Sequence, residues 1–203
     1  MSTANHLNTA LIIFVRPPEL GKVKTRLAKT IGDERALAIY KLLLNHTQQI
    51  TQPLNFQKFI YYVDHVVDYD LWNHPGYTKR KQSGNDLGEK MQHAFNELFE
   101  QGFKKVLIIG SDCYQLQTPI IEEAVNLLNT NGAVLGPTHD GGYFLLGMNE
   151  FHAQLFENKT WSTDQVLNET VSDLKSSNIS YSLLNTLCDV DEEADLALSG
   201  IDI

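Results

Sequence analysis

Four cationic side chains lie within eleven residues directly after an apolar N-terminal strand: Arg16, Lys22, Lys24 and Arg26. The chain as a whole has a formal net charge of -9, so this local excess of positive charge needs an anionic partner. Gly21 and the N–H groups at the start of the following helix can donate further hydrogen bonds to such an anion. The G-x-x-x-x-G-K-[ST] spacing of a Walker A motif does not occur here. We therefore predict a phosphate-binding loop of another kind, with Arg16, Gly21, Lys24 and Arg26 as its contacts; a solvated basic turn is the structural alternative.

Two carboxylates are placed where a metal ion would neutralise that phosphate. Asp112 follows the wholly apolar run 106–109, which is typical of a central strand, and ligands of open α/β sheets gather at the carboxyl ends of such strands. Asp191 lies in an acidic segment near the C-terminus, and a hard divalent cation bound to phosphates takes only one or two protein carboxylates. The sequence predicts Mg2+ or Mn2+ at Asp112 and Asp191, with Asp189 as the alternative to Asp191. A turn role for Asp112 and a helix N-cap role for Asp191 are the structural alternatives.

A glycine pair and two aromatic residues form the predicted acceptor side of the site. Gly141 and Gly142 follow Asp140 between two apolar strands, and adjacent glycines let the backbone pass close to a ligand or turn tightly. We assign Gly141, Gly142, Tyr143 and Trp161 to acceptor binding. Asp140 is predicted to act as a base or to position the acceptor.

Polar groups at a helix start suit a nucleoside. Gln82, Gly84 and Asp86 stand just before an apolar helical pattern and are predicted to contact the base or ribose, although a plain capped helix explains them nearly as well. A second helix start has a purely structural interpretation, because Ser162 followed three residues later by Gln165 matches a capping box.

The elements that must position these residues alternate between strand and helix patterns. Strand-like apolar runs cover 10–15, 59–63, 106–109, 133–135, 143–146 and 181–184. Apolar residues at helical spacing follow the Gly32-Asp33 start, precede Gly102, and follow the Thr118-Pro119 start. Such alternation predicts an α/β fold.

Length and composition indicate one globular domain. A chain of 203 residues with 42% apolar content can bury a sizeable core, and we predict a single domain over 9–203 after a disordered tail over 1–8. No apolar run approaches a membrane span and the N-terminus lacks a signal-peptide layout, so a cytoplasmic protein is expected, with both cysteines reduced. The net negative charge argues against nucleic-acid binding.

The order of these motifs resembles that of a bacterial family of candidate glycosyltransferases of the GT-A fold, found beside radical-SAM and selenium-domain proteins and in some cases assigned to arsenosugar biosynthesis. More distantly, the chain is similar to the nucleotidyltransferases of the same nucleotide-diphospho-sugar transferase superfamily. The chain departs from the family pattern at Tyr114, Lys90 and Glu192, where Pro, Arg and Thr are common. The segments that match are 22–27, 86–89, 110–113, 136–137, 140–143, 161–163 and 189–191.

The resemblance implies a three-layer α/β/α sandwich of GT-A type with a mostly parallel mixed sheet and a nucleotide-binding N-terminal half. It also implies that Asp112 and Asp191 occupy the two metal positions of the superfamily. We predict a metal-dependent glycosyltransferase that moves a sugar from a nucleoside diphosphate sugar to a small acceptor. The alternatives are a nucleotidyltransferase that releases pyrophosphate from a nucleoside triphosphate, and a nucleotide-sugar-binding protein without catalysis.

Overall fold

The computed structural model describes residues 8–201, so the tail predicted over 1–8 lies outside the described residues except for Asn8. Helices are interspersed among the strands along the chain, as the hydrophobic pattern predicts. The strands are β1 (Thr9–Val15), β2 (Gln57–Tyr62), β3 (Tyr77–Lys81), β4 (Lys105–Ile109), β5 (Ala133–Pro137), β6 (Tyr143–Met148) and β7 (Tyr181–Leu183). The helices are α1 (Thr25–Ile31), α2 (Asp33–Thr51), α3 (Leu87–Glu100), α4 (Thr118–Leu127), α5 (Val166–Ser176) and α6 (Glu193–Ser199), with a short 3-10 helix over Ala153–Phe156.

The seven strands form one mixed sheet in the order β3-β2-β1-β4-β6-β5-β7. Strand β6 runs antiparallel to both β4 and β5, whereas the other pairs are parallel. The apolar strand β4 therefore lies at the centre of the sheet, as predicted for a strand covered on both faces. The carboxyl ends of β1, β2, β3, β4 and β5 meet at one edge, and the residues that follow these strands are brought together there.

Helices cover both faces of the sheet. Alternate residues of β1 enter different clusters, with Leu11 and Ile13 facing helices α2 and α4 and with Ala10 and Ile12 facing α3 and α5. This period of two is what a strand buried on both sides must show. The predicted three-layer α/β/α sandwich with a mostly parallel mixed sheet is confirmed.

A third, smaller apolar cluster joins helices α1, α2 and α6 beside the carboxyl edge. Leu27 of α1 and Leu196 of α6 pack there with Val190, which is fully buried. The N–H group of Val190 also donates to the carbonyl oxygen of Asp112 at 2.9 Å. The acidic C-terminal segment is thereby held against the loop that follows β4.

The sequence pattern did not predict β3. Its five residues, Tyr77 to Lys81, include three cations and are exposed or half-buried, because β3 is an edge strand that packs one side against β2. Within residues 8–201, no helix combines the length and the apolar character required to cross a membrane.

Candidate functional site

Lys24 joins the two predicted metal ligands at the carboxyl edge of the sheet. Its ammonium Nζ lies 3.2 Å from Oδ2 of Asp112 and 2.8 Å from Oδ1 of Asp191, and its side chain is only 7% exposed. Burial alone would lower the pKa of Lys24, but the charges of Asp112 and Asp191 outweigh it and raise the pKa above its usual value. Lys24 is therefore a buried cation with two carboxylate partners, and the solvated-turn alternative does not hold for it.

The backbone of Lys24 has an uncommon conformation. Lys24 is the N-cap residue of α1 and has φ 45° and ψ 45°, in the left-handed region that a lysine rarely adopts. Its carbonyl oxygen accepts the first helical hydrogen bond, from Ala28 N–H at 2.8 Å. Strained backbone of this kind is concentrated at functional sites, where surrounding contacts hold it in place.

Arg26 contacts the Asp191 carboxylate from the solvent side. Its Nη1 lies 3.4 Å from Oδ2 of Asp191, and its Nε donates to Oε1 of Glu192 at 3.1 Å. Although burial would raise the pKa of Asp191, Lys24 and Arg26 hold it below its usual value. The N-cap of α6 is Glu192, which forms a capping box with Asp195, so the predicted alternative of Asp191 as the N-cap is wrong. The Asp191 carboxylate therefore pairs with Lys24 and Arg26 and does not cap the helix.

Asp189 adds a carboxylate that has no hydrogen-bond partner at Oδ1 among the described residues, although that oxygen is buried. Burial, reinforced by the charge of Asp112, raises the pKa of Asp189 well above its usual value, and the charge of Lys24 offsets this only in part. Asp189 and Asp191 flank the buried Val190, so both lie beside Asp112. Asp189 and Asp191, which the sequence offered as alternative metal ligands, therefore both lie close to Asp112.

Asp140 lies at the rim of the same site. It lines a cavity of about 200 Å³ together with Asp189, Asp191 and Arg26. Its Oδ1 accepts hydrogen bonds from Thr138 Oγ1 at 2.5 Å and from the N–H of Gly142 at 3.1 Å. These bonds hold the turn that follows β5, with one carboxylate oxygen committed to the turn.

The rest of the predicted phosphate loop leads from β1 to Lys24. The N–H of Arg16 donates to the hydroxyl of Tyr40 at 2.9 Å, and that hydroxyl donates back to the carbonyl oxygen of Arg16 at 3.0 Å. The Arg16 guanidinium is half exposed and lies 3.8 Å from the Asp64 carboxylate. Gly21 has φ 72° and turns the loop toward Lys24.

The residues predicted to bind the nucleoside form a second group. Gln82 donates to the carbonyl oxygen of Tyr61 at 2.9 Å, and the Asp86 carboxylate caps α3 by accepting the N–H of Glu89 at 2.9 Å. Gly84 has φ 130° and lies so close to Glu89 that a side chain at residue 84 would clash. The capped-helix alternative is therefore realised at Asp86, and ligand binding there stays a prediction.

Trp161 and Asp86 line the same cavity, of about 530 Å³. It shares no lining residue with the smaller cavity beside Asp140. The structure thus joins a residue assigned to the acceptor with one assigned to the nucleoside. The capping box predicted over Ser162 and Gln165 is wrong, because Ser162 has φ 64° and α5 begins at Val166 without a side-chain cap.

Gly141 and Tyr143 are held in close packing contacts. A Cβ atom at Gly141 would overlap the backbone of Asp164, so this glycine permits close packing of the turn against the segment before α5. The phenol of Tyr143 is packed against the apolar cluster under α3 and α5, and burial raises its pKa. Acceptor binding by these two residues stays a prediction.

The donor set is compatible with a hard divalent cation. Asp112 and Asp191 supply carboxylate oxygens that already hold a cation, the Lys24 ammonium, and the buried Oδ1 of Asp189 has no hydrogen-bond partner among residues 8–201. Within those residues, no group of three His, Cys, Asp or Glu side chains is arranged to hold a metal by itself. A metal here would therefore need phosphate oxygens or water to complete its shell, which is the usual arrangement for Mg2+.

Gly110 lies against the Asp112 carboxylate, a contact that the sequence did not predict. A Cβ atom at this residue would lie 2.5 Å from Oδ1 of Asp112, so only glycine leaves room for the carboxylate to fold back over the end of β4. The Gly-Ser-Asp order carried this signal, because a glycine directly after a central strand often marks a close approach.

Comparison with known proteins points to one family and one fold. Residues 47–163 match a family described as "Uncharacterized protein conserved in bacteria (DUF2064)". No curated protein matches the chain in sequence. Among solved structures, a candidate nucleotide-diphospho-sugar transferase from Desulfovibrio desulfuricans G20 is 32% identical with a TM-score of 0.87, over 94% of this chain and 85% of that one.

Two more distant structures share the fold. The 4-diphosphocytidyl-2C-methyl-D-erythritol synthase from Anaerococcus prevotii DSM 20548 is 11% identical, with a TM-score of 0.59 over 98% of this chain and 97% of that one. The inositol-1-phosphate CTP transferase from T. maritima is 12% identical, with a TM-score of 0.56 over 96% of each chain. These likenesses confirm the predicted nucleotide-diphospho-sugar transferase fold.

Proposed function

The chain belongs to the DUF2064 family, and from that premise and the geometry of the site we propose that it is a metal-dependent glycosyltransferase. It would transfer a sugar from a nucleoside diphosphate sugar to a small acceptor. The relative from Desulfovibrio desulfuricans G20 supports a nucleotide-sugar transferase. We also propose that it belongs to the transferases found beside radical-SAM and selenium-domain proteins. This part of the proposal rests on the motif resemblance.

The observation that carries the proposal is the ionic cluster at the carboxyl edge. Two cations, Lys24 and Arg26, face the three carboxylates of Asp112, Asp191 and Glu192. A diphosphate would add further negative charge to a cluster that is already negative on balance. Binding such an anion therefore requires an additional cation, and a divalent metal ion meets this requirement.

Asp112 and Asp191 would hold the metal, with the buried Asp189 carboxylate beside them. When bound, Mg2+ or Mn2+ supplies positive charge that stabilises the diphosphate as it leaves. Lys24 and Arg26 would donate hydrogen bonds to the same leaving group from the start of α1. Such fixed donors are the electrostatic contribution that is usually largest in group transfer.

Asp140 would act on the acceptor side. Its Oδ1 is held by Thr138 and Gly142, so the carboxylate has a fixed orientation at the rim of the cavity. A carboxylate in that place can accept a proton from an acceptor hydroxyl or hold the hydroxyl by a hydrogen bond.

A nucleotidyltransferase is the second candidate, because enzymes of that kind share the fold over nearly the whole chain. The same loop and carboxylates would then bind a nucleoside triphosphate, and the leaving group would be pyrophosphate. A nucleotide-sugar-binding protein without catalysis is the third.

Product analysis separates the three. The protein is incubated with Mn2+, a panel of nucleoside diphosphate sugars or nucleoside triphosphates, and small hydroxylated acceptors, and the products are identified by mass spectrometry. Release of a nucleoside diphosphate with transfer of the sugar supports the glycosyltransferase, and release of pyrophosphate supports the nucleotidyltransferase. Binding without turnover supports the third function. Asp112→Asn is the matched control, because it keeps the size of the side chain and removes the charge.

A further inference from the structure

Lys24 stands between the two carboxylates that a metal ion would use. We propose that the Lys24 ammonium acts as a resident counter-cation that keeps metal out of the empty protein, so that metal and nucleotide bind together. This inference rests on the proposed function, since it assumes that Asp112 and Asp191 are metal ligands. It adds an order of binding, and it gives Lys24 a positioning role before any phosphate arrives.

The distances make the competition direct. Lys24 Nζ contacts Asp112 Oδ2 at 3.2 Å and Asp191 Oδ1 at 2.8 Å, so one ammonium bridges both carboxylates. A divalent cation bound to these same two oxygens would lie about 2.0 to 2.6 Å from each of them. Two cations cannot both contact this pair of oxygens at such distances without strong repulsion. A metal ion that takes this pair of oxygens can enter only if the Lys24 side chain moves.

The backbone allows this movement in the side chain alone. The left-handed conformation of Lys24 is fixed by its place at the start of α1, and Leu27 anchors that helix in the apolar cluster with Val190. The four-carbon stem of a lysine is flexible and its ammonium is a compact charge, so rotation about the side-chain bonds is enough to release the carboxylates.

The displaced ammonium then needs another anion. In the bridging position the Lys24 side chain is only 7% exposed, and an ammonium left unpaired in so buried a place would be costly. A diphosphate beside α1 supplies the new partner. Metal binding and nucleotide binding should therefore strengthen one another, and by linkage the coupling is the same in both directions.

Arg26 provides a matched comparison. It also contacts Asp191, but through Oδ2 and from the solvent side, with 59% of its side chain exposed. Removing Arg26 takes away one positive charge from the cluster and leaves the bridge between Asp112 and Asp191 occupied.

The test measures Mn2+ binding to the full protein in the absence of nucleotide, by the electron paramagnetic resonance signal of free Mn2+. Lys24→Met is compared with the parent and with Arg26→Gln, and Lys24→Gln serves as a second neutral variant if Lys24→Met does not fold. We expect both Lys24 variants to bind Mn2+ at least tenfold more tightly than the parent, and Arg26→Gln to stay within about threefold of the parent. Adding Asp191→Asn to a Lys24 variant should abolish the gain.

The possible results separate the two proposals. Equal Mn2+ affinity of the parent and both Lys24 variants would overturn the counter-cation role and leave the metal site standing. A gain of the same size in Arg26→Gln would also overturn it, because net charge alone would then explain the effect. If neither the parent nor any variant binds Mn2+, with or without nucleoside diphosphates, the metal dependence of the proposed function is wrong and the inference is wrong with it.

Discussion

The indole of Trp161 lies directly over Gly88, and a Cβ atom at residue 88 would overlap the five-membered ring of the indole. Gly88 is buried in the first turn of α3, and its backbone is helical. The glycine is therefore needed for side-chain space and not for its φ angle. This contact holds the loop before α5 against α3 and forms one wall of the larger cavity.

Gly88→Ala should destabilise the protein by about 1 to 3 kcal/mol, the usual cost of overpacking a well-packed site. In a Trp161→Ala background the same change should be neutral or slightly stabilising, because alanine is the better helix former once the ring is gone. Urea unfolding of the four proteins in this double-mutant cycle gives the coupling. A Gly88→Ala cost that persists without the indole would contradict the contact.

Gly110→Ala should weaken ligand binding without a matching loss of stability. The new Cβ atom would meet Oδ1 of Asp112, the far end of a short side chain, so the carboxylate can turn away while the strand stays intact. We expect metal-dependent nucleotide affinity to fall at least tenfold, with a change in the melting temperature of no more than a few degrees, as measured by calorimetry. Unchanged affinity would show that the orientation of Asp112 is not important for binding.

Most of the fold could be predicted from the sequence, because apolar residues that alternate or recur at helical spacing report directly on burial. Strand β3 could not, since an edge strand rich in lysine and arginine has no apolar pattern. The structural alternative of Asp191 as the N-cap of α6 was wrong by one residue, because Asp191 and Glu192 are adjacent acids and only the structure shows that Glu192 accepts the cap hydrogen bond.

The site was predictable as a set of residue types but not as contacts. Asp112 was predicted because ligands of open α/β sheets gather at the carboxyl ends of the strands, and Lys24 and Arg26 were predicted from the basic loop. No spacing rule could show that Lys24 bridges Asp112 and Asp191, because these carboxylates lie 88 and 167 residues further along the chain. The contact of Trp161 with Gly88 could not be predicted either, because a glycine in a helix gives no sign of which side chain packs on it.

The two acids flanking Val190 should have opposite effects on stability as pH changes. Despite its burial, Asp191 has a pKa held below the usual value by Lys24 and Arg26, so its ionised form stabilises the fold above about pH 4 and this contribution is lost as pH falls below that. Burial and the charge of Asp112 raise the pKa of Asp189, so ionising it opposes folding as pH rises from about 4 through its folded pKa.

We therefore expect Asp191→Asn to flatten the loss of stability below pH 4, and Asp189→Asn to raise the melting temperature at pH 7. Each kcal/mol corresponds to about 2 to 4 °C for a chain of this size. Thermal unfolding of the metal-free variants between pH 3 and pH 8 gives both profiles. Parallel profiles for the two variants would contradict the assigned environments.

Arg26→Ala should weaken the binding of nucleoside diphosphates in the presence of Mn2+ about tenfold, as expected for the loss of one charge-assisted hydrogen bond to phosphate. Stability should change by no more than about 0.5 kcal/mol, because the ion pairs of an exposed arginine contribute little. Lys29→Ala is the matched control: Lys29 is an exposed cation in the last turn of the same helix α1, so it removes the same charge.

Calorimetric titration and thermal unfolding of both variants at two salt concentrations complete the comparison. If Arg26→Ala and Lys29→Ala weaken binding equally and high salt removes the difference from the parent, only the long-range field of α1 acts on the nucleotide. If Arg26→Ala leaves affinity unchanged, Arg26 serves only to hold Asp191 and Glu192. A loss confined to Arg26→Ala and retained at high salt is the result expected for direct contact with phosphate.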